Sequence, residues 1–438
     1  MGGALCIRGG DIPPLGDDPG RTGATLLISE GRIAAIGGPE LRRPDGARVW
    51  DATGCDLLPG LVNAHNHLAM TLLRGYGADL PLDRWLRERI WPVEERLIPE
   101  DVRQGALLGC LELLRGGVTA VADMYDRMDA VADAVLASGI RGVLSRGIVG
   151  LHAGWERALA EAEELCARAR RDRSGRLQAM ISPHAEYTCP PPVWEACLAV
   201  ARRERVPLHT HVAETADEVQ GCRRRHGVGP VRFLAEVGAL EAGCLCAHCV
   251  HLDPGDIALL AAPGVAVAHN PVSNAKLGSG IAPLPALLAG GVVVGLGSDG
   301  AASTDFLGLW EEMRLAAWQQ KALHRDAAAV PCAALLHLAT AGGASALGLP
   351  AGCGHLAVGA PADLIAVDRR GLHRIPATDP RAGLVYGTRD ADVVLTVVAG
   401  RVVMERGEFP GIDHEQLAAD VAARSGRLLG AARRPGEG

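Results

Sequence analysis

The stretch Leu61-Val-Asn-Ala-His-Asn-His67 joins an apolar run to a His-x-His pair. Side chains two residues apart on a β-strand point to the same side, so the imidazoles of His65 and His67 can reach one metal ion. Three later apolar runs also end in a residue that binds metals: Pro207-Leu-His-Thr-His211, Cys244-Leu-Cys-Ala-His248 and Val292-Val-Val-Gly-Leu-Gly-Ser-Asp299. Metal ligands at the carboxyl ends of separate buried strands are typical of the mouth of a catalytic barrel. The sequence therefore predicts one metal site built from His65, His67, His211, His248 and Asp299.

Strand-like and helix-like stretches alternate between residues 59 and 355. After the first strand, seven more candidates are the runs 118–123, 142–148 and 177–184 and those that end at His211, His248, His269 and Asp299. Amphipathic helical stretches separate them, as at residues 155–170, 193–205 and 309–322. Eight strands with intervening helices are typical of a (β/α)8 TIM barrel, so we expect an α/β fold with residues 59–355 as its catalytic barrel.

The two ends of the chain have the pattern of β-hairpins. Residues 24–36 form two apolar runs separated by Glu30-Gly31, and residues 393–404 form two more separated by Ala399-Gly400. A short turn between two apolar runs predicts a hairpin. We expect residues 1–58 and 356–430 to form one β-sandwich that flanks the barrel, with the tail from Arg424 as a frayed end.

Composition restricts the partners of the protein. Of 438 residues, 22% are charged and the formal net charge is −7, so no basic field is available for nucleic acid or an anionic membrane. No window offers about 18 unbroken apolar residues, which disfavours a membrane span. The start Met1-Gly-Gly-Ala-Leu-Cys-Ile-Arg8 lacks an export-signal pattern, and the twelve cysteines lie mostly in apolar runs. We expect reduced core thiols, a cytoplasmic location and a small-molecule substrate.

The ligand types indicate the metal and the chemistry. Three imidazoles and a carboxylate suit one zinc ion, with iron(II) as the alternative, and no Lys that could bridge a second ion ends a barrel strand. A bound metal ion lowers the pKa of water towards ~7. We expect Asp299 to take the proton of that water, His248 to hold the developing tetrahedral centre and Glu214 to move a proton to the substrate nitrogen. Glu214 is also typical of a helix start, where the helix dipole favours an acidic residue.

A family resemblance covers nearly the whole chain and includes five motifs: Pro59-Gly-Leu-Val-Asn-Ala-His-Asn-His67, Met70-Thr-Leu-Leu-Arg-Gly75, Ala247-His-Cys-Val-His-Leu252, His269-Asn-Pro-Val-Ser-Asn-Ala-Lys-Leu277 and Gly297-Ser-Asp-Gly-Ala-Ala-Ser303. With them the sequence resembles the amidohydrolase superfamily, and within it the deaminases of S-adenosylhomocysteine and 5′-methylthioadenosine. The resemblance implies four metal ligands and two further catalytic groups. The ligands would be His65, His67, His211 and Asp299, and the catalytic groups Glu214 and His248.

The resemblance also implies residues that bind the substrate. Trp85 would pack on the nucleoside and Glu94 would accept hydrogen bonds from the ribose hydroxyls, although residues 83–94 are equally typical of an amphipathic helix ended by Pro92. His184 matches a position that contacts the purine. Arg146 and, more loosely aligned, Arg157 match arginines that bind an amino-acid carboxylate.

One position departs from the family pattern. Where relatives have proline, Pro183-His-Ala-Glu-Tyr187 has Glu186, which would place an acidic group near the pocket. Such a group would disfavour a substrate with a carboxylate tail and could instead bind an amine or a sugar hydroxyl.

The leading functional hypothesis is hydrolytic deamination of a 6-aminopurine nucleoside with release of ammonia. The same residues would suit an aminodeoxyfutalosine deaminase, a free-base deaminase acting on guanine or 8-oxoguanine, or an s-triazine amino- or chlorohydrolase. A non-catalytic scaffold is disfavoured, because such a protein would have lost metal ligands and none is missing here. Relatives often form homo-oligomers, and we expect the same here.

Overall fold

The eight parallel strands predicted from the sequence form a nearly closed barrel. The computed structural model describes residues 4–16, 18–151 and 153–430. The barrel strands are β6 (Leu61–Asn66), β7 (Val118–Tyr125), β8 (Arg141–Ile148), β9 (Leu177–Pro183), β10 (Leu208–Val212), β11 (Cys244–His248), β12 (Val265–His269) and β13 (Val293–Leu296). Each pairs in parallel with the next in chain order. The predicted (β/α)8 barrel is confirmed.

The last strand returns to the first through hydrogen bonds rather than a regular ladder. The amide of Asp299 donates to the carbonyl of His65 at 3.0 Å. The side-chain amides of Asn63 and Asn66 both donate to Ser298 Oγ at 2.7 Å. These bonds hold the end of β13 against β6, and they bring the two most distant predicted ligands together.

Helices follow the strands around the barrel. They are α1 (Leu82–Trp85), α2 (Trp91–Glu94), α3 (Pro99–Arg115), α4 (Met128–Ser138), α5 (Trp155–Arg171), α6 (Pro191–Glu204), α7 (Ala216–His226), α8 (Pro230–Glu236), α9 (Pro254–Leu260), α10 (Pro271–Lys276), α11 (Leu284–Ala289), α12 (Ala301–Thr304), α13 (Leu309–His324), α14 (Cys332–His337), α15 (Gly343–Ala346), α16 (Pro380–Ala382) and α17 (His414–Gly430). Short 3-10 turns span Leu68–Leu73, Glu186–Thr188, Leu372–Arg374 and Asp390–Asp392, and π turns span Leu86–Ile90, Leu338–Gly342 and Gly383–Gly387. Among the described residues, no helix combines the length and the apolar character that crossing a membrane requires.

A separate sheet is built from both ends of the chain. Its strands are β1 (Leu5–Ile12), β2 (Arg21–Ser29), β3 (Arg32–Gly37), β4 (Arg48–Asp51), β5 (Cys55–Pro59), β14 (Leu364–Asp368), β15 (Val393–Val398) and β16 (Arg401–Glu405). Strand β14 pairs antiparallel with β5, and a single register pair joins β5 to β1. Buried side chains from both halves, Leu26 and Leu395 among them, share one apolar cluster. All twelve cysteines of the protein are free thiols, and eleven of them are buried.

Both predicted hairpins are confirmed, and their turns meet. Glu30 and Gly31 both have positive φ, as do Ala399 and Gly400. Positive φ at both central residues is the geometry of a two-residue turn that matches the twist of its strands. The amide of Ala362 donates to the carbonyl of Gly31, and the amide of Gly400 donates to the carbonyl of Ala362.

The predicted frayed tail is ordered as far as the structure describes it. Residues 424–430 belong to helix α17, which packs on α3 of the barrel, while residues 431–438 lie outside the described residues. Arg424 and Arg427 both donate to the fully buried carboxylate of Asp101. The composition of the tail suggested disorder, but these ion pairs give its first half a fixed partner.

Candidate active site

Every residue predicted as a metal ligand or catalytic group lies at the carboxyl ends of the barrel strands. His65 is in β6, His211 in β10 and His248 in β11, while Asp299 follows β13 by three residues. Parallel strands bring their carboxyl ends to one face of a barrel, so residues far apart in sequence become neighbours there. A cavity of about 430 Å³ opens over them.

The candidate ligand atoms converge on one point. Atoms of His65, His67 and His211 all lie within 4.8 Å of one another, and so do atoms of His65, His248 and Asp299. The Oδ1 atom of Asp299 is 3.4 Å from His65 Nε2 and 3.1 Å from His67 Nε2. This spacing places several lone pairs around a volume of the size that one metal ion needs.

A chain of buried hydrogen bonds orients His65. Its Nδ1 lies 2.8 Å from His209 Nε2, and His209 Nδ1 lies 3.0 Å from Ser145 Oγ. The Ser145 hydroxyl donates in turn to the carbonyl of Asp123 at 3.1 Å. Because that carbonyl can only accept, the Ser145 hydroxyl donates to it and accepts from His209 Nδ1. His209 Nε2 then has a lone pair and accepts from His65 Nδ1, which therefore carries a hydrogen. The lone pair of His65 is therefore on Nε2, which faces Asp299.

The other two imidazoles are oriented by backbone carbonyls. His67 Nδ1 donates to the carbonyl of Met124 at 2.5 Å, and His211 Nδ1 donates to the carbonyl of His184 at 2.8 Å. A ring that donates from Nδ1 keeps its lone pair on Nε2, which is the arrangement usual for metal-binding histidines. All three rings thus present the same atom to the convergence point.

Hydrogen bonds with neighbouring side chains fix Asp299 and His248. Asp299 Oδ2 accepts hydrogen bonds from the hydroxyls of Ser273 and Ser303, each at 2.7 Å. His248 Nδ1 donates to Asn274 Oδ1 at 2.8 Å. Asp299 and His248 both have positive φ, an uncommon backbone conformation that is enriched at functional sites.

Glu214 completes the group, beside His248. Its Oε2 is 3.8 Å from His248 Nε2, and its Oε1 accepts a hydrogen bond from Ser279 Oγ at 3.3 Å. Burial raises the pKa of the Glu214 carboxyl, which favours its protonated form. A buried carboxyl of this kind can give a proton to a ligand in the cavity and take it back.

Two observations indicate that these residues fit a metal ion. His65 Nε2 and Asp299 Oδ1 are buried, and neither has a hydrogen-bond partner. Buried polar atoms are normally partnered, so two facing atoms without partners indicate a missing ligand. Burial lowers the pKa of His65 to about 4, and it holds the pKa of His211 well below its usual value. Both rings are therefore neutral, as metal ligands must be. Burial would also lower the pKa of His67, but the Asp299 carboxylate outweighs burial and raises that pKa to about 9, so binding of a metal ion would displace a proton from this ring.

Four of the five predicted substrate residues line the cavity: Trp85, Glu94, Arg146 and His184. Trp85 is buried at the end of α1, and burial raises the pKa of Glu94 at the end of α2. The helix that was expected to end at Pro92 instead continues to Glu94, because Pro92 lies in the first turn of α2. The π turn Leu86–Ile90 joins α1 to α2.

The family of this protein follows from a match that includes the residues of the site. A pattern described as the amidohydrolase family matches residues 57–403. The chain belongs to this family. The resemblance seen in the five motifs is thereby confirmed, and with it the expectation of a metal-dependent protein.

Relatives of this amidohydrolase span nearly its whole length. A 5-methylthioadenosine/S-adenosylhomocysteine deaminase of Pelotomaculum thermopropionicum is 46% identical over 424 residues, covering 93% of this chain and 98% of the relative. An adenosine deaminase from Xanthomonas campestris with bound zinc has a TM-score of 0.92 at 33% identity, covering 97% of this chain and 98% of the other. An atrazine chlorohydrolase from Arthrobacter aurescens complexed with zinc has a TM-score of 0.88 at 28% identity, covering 96% and 100%.

The two predicted arginines of this amidohydrolase are engaged elsewhere. Arg146 lines the cavity, but its guanidinium is bound by the carboxylates of Asp126 and Glu161. Arg157 is not brought to the cavity. Its side chain is 84% exposed on α5, where it also pairs with Glu161.

Glu186 does not face the cavity, contrary to the expectation from the sequence. Its side chain is buried and accepts hydrogen bonds from Arg225 at 2.8 and 2.5 Å and from His226 at 2.8 Å. The position is acidic because it anchors helix α7, and it therefore says nothing against a carboxylate on the substrate.

The residues whose hydrogen bonds orient the metal ligands and His248 were not predicted from the sequence. These are His209, Ser145, Ser273, Asn274 and Ser303. One signal was present: His209 and His211 form a second His-x-His pair, so both rings point to the same side of β10. Ser303 lies four residues after its partner Asp299. Ser145, Ser273 and Asn274 lie 26 or more residues from their partners, and only the barrel brings them together.

Proposed function

We propose that this amidohydrolase is a hydrolytic deaminase of 6-aminopurine nucleosides, which releases ammonia and leaves a 6-oxopurine. The observation that carries the proposal is the convergence of three imidazole Nε2 atoms and Asp299 Oδ1 beside a buried Glu214, at the floor of one cavity. The name of the relative that is 46% identical supports this substrate class.

His65, His67, His211 and Asp299 would hold one divalent ion, and we propose zinc. The two solved relatives that hold zinc support this choice over iron(II). When bound, the ion supplies Lewis-acid chemistry, because it lowers the pKa of a coordinated water towards neutrality.

The surrounding side chains divide the proton transfers between them. Asp299 accepts the proton of the attacking water, and the hydroxyls of Ser273 and Ser303 fix its carboxylate in one orientation. Glu214 donates a proton to the purine ring nitrogen next to the amino-bearing carbon, and later moves a proton to the departing amine. His248 directs Nε2 towards the same volume, while its Nδ1 donates to Asn274. In its imidazolium form the ring carries a second hydrogen, on Nε2, which can donate to the oxygen that develops on that carbon.

The cavity wall would position the nucleoside. Trp85 offers an aromatic face to the base or sugar, and His184 lies next to the floor, with its ring centroid 4.6 Å from that of His211. Glu94, when ionised, can accept two hydrogen bonds from the vicinal hydroxyls of a ribose. A free base or a triazine has no such hydroxyls, so Glu94 favours a nucleoside.

A substrate panel tests the proposal. The zinc-loaded protein would be given adenosine, 5′-deoxyadenosine, methylthioadenosine, S-adenosylhomocysteine, aminodeoxyfutalosine, 8-oxoguanine, guanine and an s-triazine. Ammonia release and the change from adenine-type to hypoxanthine-type absorbance would be followed together. We expect turnover of one or more adenine nucleosides, with the ranking showing the preferred 5′ substituent. Turnover confined to the bases or the triazine would contradict the proposal.

A further inference from the structure

The backbone that carries Glu214 is held by a second glutamate, Glu218, on the first turn of α7. The amide of Ala213 donates to Glu218 Oε1 at 2.8 Å, and the amide of Glu214 donates to Glu218 Oε2 at 2.7 Å. Glu218 is buried, so these bonds are shielded from competing water. Each carboxyl oxygen therefore fixes one of the two peptide groups that lead into Glu214.

This contact differs from an ordinary helix cap. Thr215 is the N-cap of α7, and its side chain accepts a hydrogen bond from the amide of Glu218. In a capping box, an acid three residues after the N-cap reaches back to the amide of the N-cap itself. Glu218 instead reaches one and two residues further, to the amides of Glu214 and Ala213. Its side chain thus holds the loop in front of the helix.

The loop is also fixed from the other side, at Ala213. This residue has a φ of 50°, in the left-handed region that residues other than glycine rarely adopt. Its carbonyl accepts hydrogen bonds from the amides of Val250 and His251, each at 3.0 Å, in the loop after β11. Since both polar groups of its backbone are bound, Ala213 is a fixed point between the loops that follow β10 and β11. Glu214 comes next in the chain, so the direction of its side chain depends on this point.

The carboxyl group of Glu214 has few contacts of its own. Among the described residues it has one hydrogen bond, from Ser279 Oγ at 3.3 Å. A general acid must lie within hydrogen-bond reach of the atom that it protonates, and a misplacement of about 1 Å can cost roughly 100-fold in rate. The backbone that Glu218 fixes therefore has a large influence on the proton transfer by Glu214.

We propose that Glu218 is a positioning residue for the deamination. By binding the amides of Ala213 and Glu214, it directs the Glu214 carboxyl at the substrate nitrogen, and it does not itself contact the substrate. Of these two glutamates, only Glu214 lines the cavity. This inference rests on the proposed nucleoside deaminase function. Because the residues that line the cavity are unchanged when Glu218 is replaced, the loss should fall on kcat and not on KM.

Glu218→Gln tests this role, with Asp256→Asn as its matched control. Glutamine keeps the shape of the side chain but replaces one accepting oxygen with a nitrogen that donates. Asp256 is likewise the third residue of a helix, α9, and both acids are 7% exposed. Its carboxyl, however, accepts from the amide of the N-cap Asp253 in an ordinary capping box. Both variants should unfold at a lower temperature than wild type and load zinc normally, but only Glu218→Gln should slow the reaction.

The kinetic constants would be measured with the best nucleoside of the substrate panel. In Glu218→Gln, kcat should fall by about 10- to 100-fold while KM stays within about threefold. Asp256→Asn should keep kcat within about twofold of wild type. Adding Glu218→Gln to Glu214→Gln should change kcat by less than about threefold, because residues that act as a unit are not additive. A merely structural residue would instead lower kcat by the same factor with and without Glu214.

Glu218→Asp is a second variant in case Glu218→Gln does not fold. It keeps both accepting oxygens but draws them back by one methylene, so kcat should fall by roughly 3- to 10-fold and should again depend on Glu214. Wild-type kcat in the folded variant, a loss equal to that in Asp256→Asn, or the same loss with and without Glu214 would overturn the role of Glu218. Failure of the wild type to turn over any nucleoside would instead contradict the proposed function, so the two failures are distinguishable.

Discussion

At the scale of single residues, the side chains that hydrogen-bond to the metal ligands fix the orientation and the proton positions of those ligands. His209 is fully buried and joins His65 to Ser145, so it sets the position of the proton on His65. We expect His209→Leu to lower zinc affinity by about 10- to 100-fold, as is usual when a partner of a metal ligand is lost. Competition with a chromophoric chelator would measure the affinity.

His269→Leu is the matched control for this prediction. His269 is equally buried at the end of the next-but-one strand, but neither of its ring nitrogens has a hydrogen-bond partner. Its replacement should leave zinc affinity unchanged within about twofold. Equal zinc affinity in His209→Leu and wild type would show that the hydrogen-bond chain does not orient His65.

Glu94 gives a prediction about pH. Burial raises its pKa, and only the ionised carboxylate accepts from both ribose hydroxyls. As pH falls through the raised pKa, the carboxyl takes up a proton and KM for a nucleoside should rise. Glu94→Gln should raise KM at neutral pH by roughly 10-fold and abolish this pH dependence, because its amide cannot ionise.

Initial-rate measurements across pH, on adenosine and its 2′,3′-dideoxy analogue, would check this. Neighbouring Glu95 lines the same cavity, so Glu95→Gln is the control, and it should leave the pH dependence of KM intact. If Glu94→Gln raised KM for the dideoxy analogue as much as for adenosine, the ribose role would be refuted.

At the scale of secondary-structure elements, Asp101 holds helix α17 on α3. Burial alone would raise its pKa, but Arg427 and Arg424 outweigh this effect and the pKa is lowered. A lowered carboxyl pKa contributes stability that is present above the ordinary value near 4 and is lost as pH falls through the folded-state value. Asp101→Asn should therefore reduce the free energy of unfolding by about 1–3 kcal/mol at pH 7, less than for a fully buried pair, since both arginines are partly exposed.

Urea unfolding at pH 7 and at low pH would measure the loss. The difference between Asp101→Asn and wild type should shrink at low pH, where the wild-type carboxyl is also neutral. Glu415→Gln is the control, because Glu415 lies in the same helix α17, is exposed and should contribute within about 1 kcal/mol. A difference that did not change with pH would argue against an ionic contact.

The elements differ in how far the sequence could predict them. Alternating or continuous apolar runs and two-residue turns are local signals, so the barrel strands and both hairpins were predictable. The ion-pair partners of Glu186 and Arg146 come from other parts of the chain, and no local sequence pattern predicts them. Helix α17 was missed for the same reason, because its anchor Asp101 is more than 300 residues away. The division into residues 59–355 and a composite domain of 1–58 with 356–430, and the homo-oligomer, stay predictions.

At the scale of the whole molecule, the proposed ligands join strands that are far apart in sequence. His65 lies on the first barrel strand and Asp299 three residues after the last, so an ion between them would bind only the folded barrel. Zinc at about 1,000 times its dissociation constant should then stabilise the fold by about 4 kcal/mol. Thermal unfolding with and without zinc would show this gain, and His211→Ala should reduce it strongly. An unchanged unfolding temperature on adding zinc to metal-free protein would contradict the metal site.

Proton transfer by Glu214 is tested by comparing wild type with Glu214→Gln at equal zinc content. Glu214 is proposed to move protons and not to bind the ion, so the variant should load zinc normally and unfold at a similar temperature. Ammonia release from methylthioadenosine would be measured for both proteins. We expect clear release by wild type and a fall of about 100- to 10,000-fold in the variant. Ammonia release by Glu214→Gln at the wild-type rate would contradict the proton transfer by Glu214.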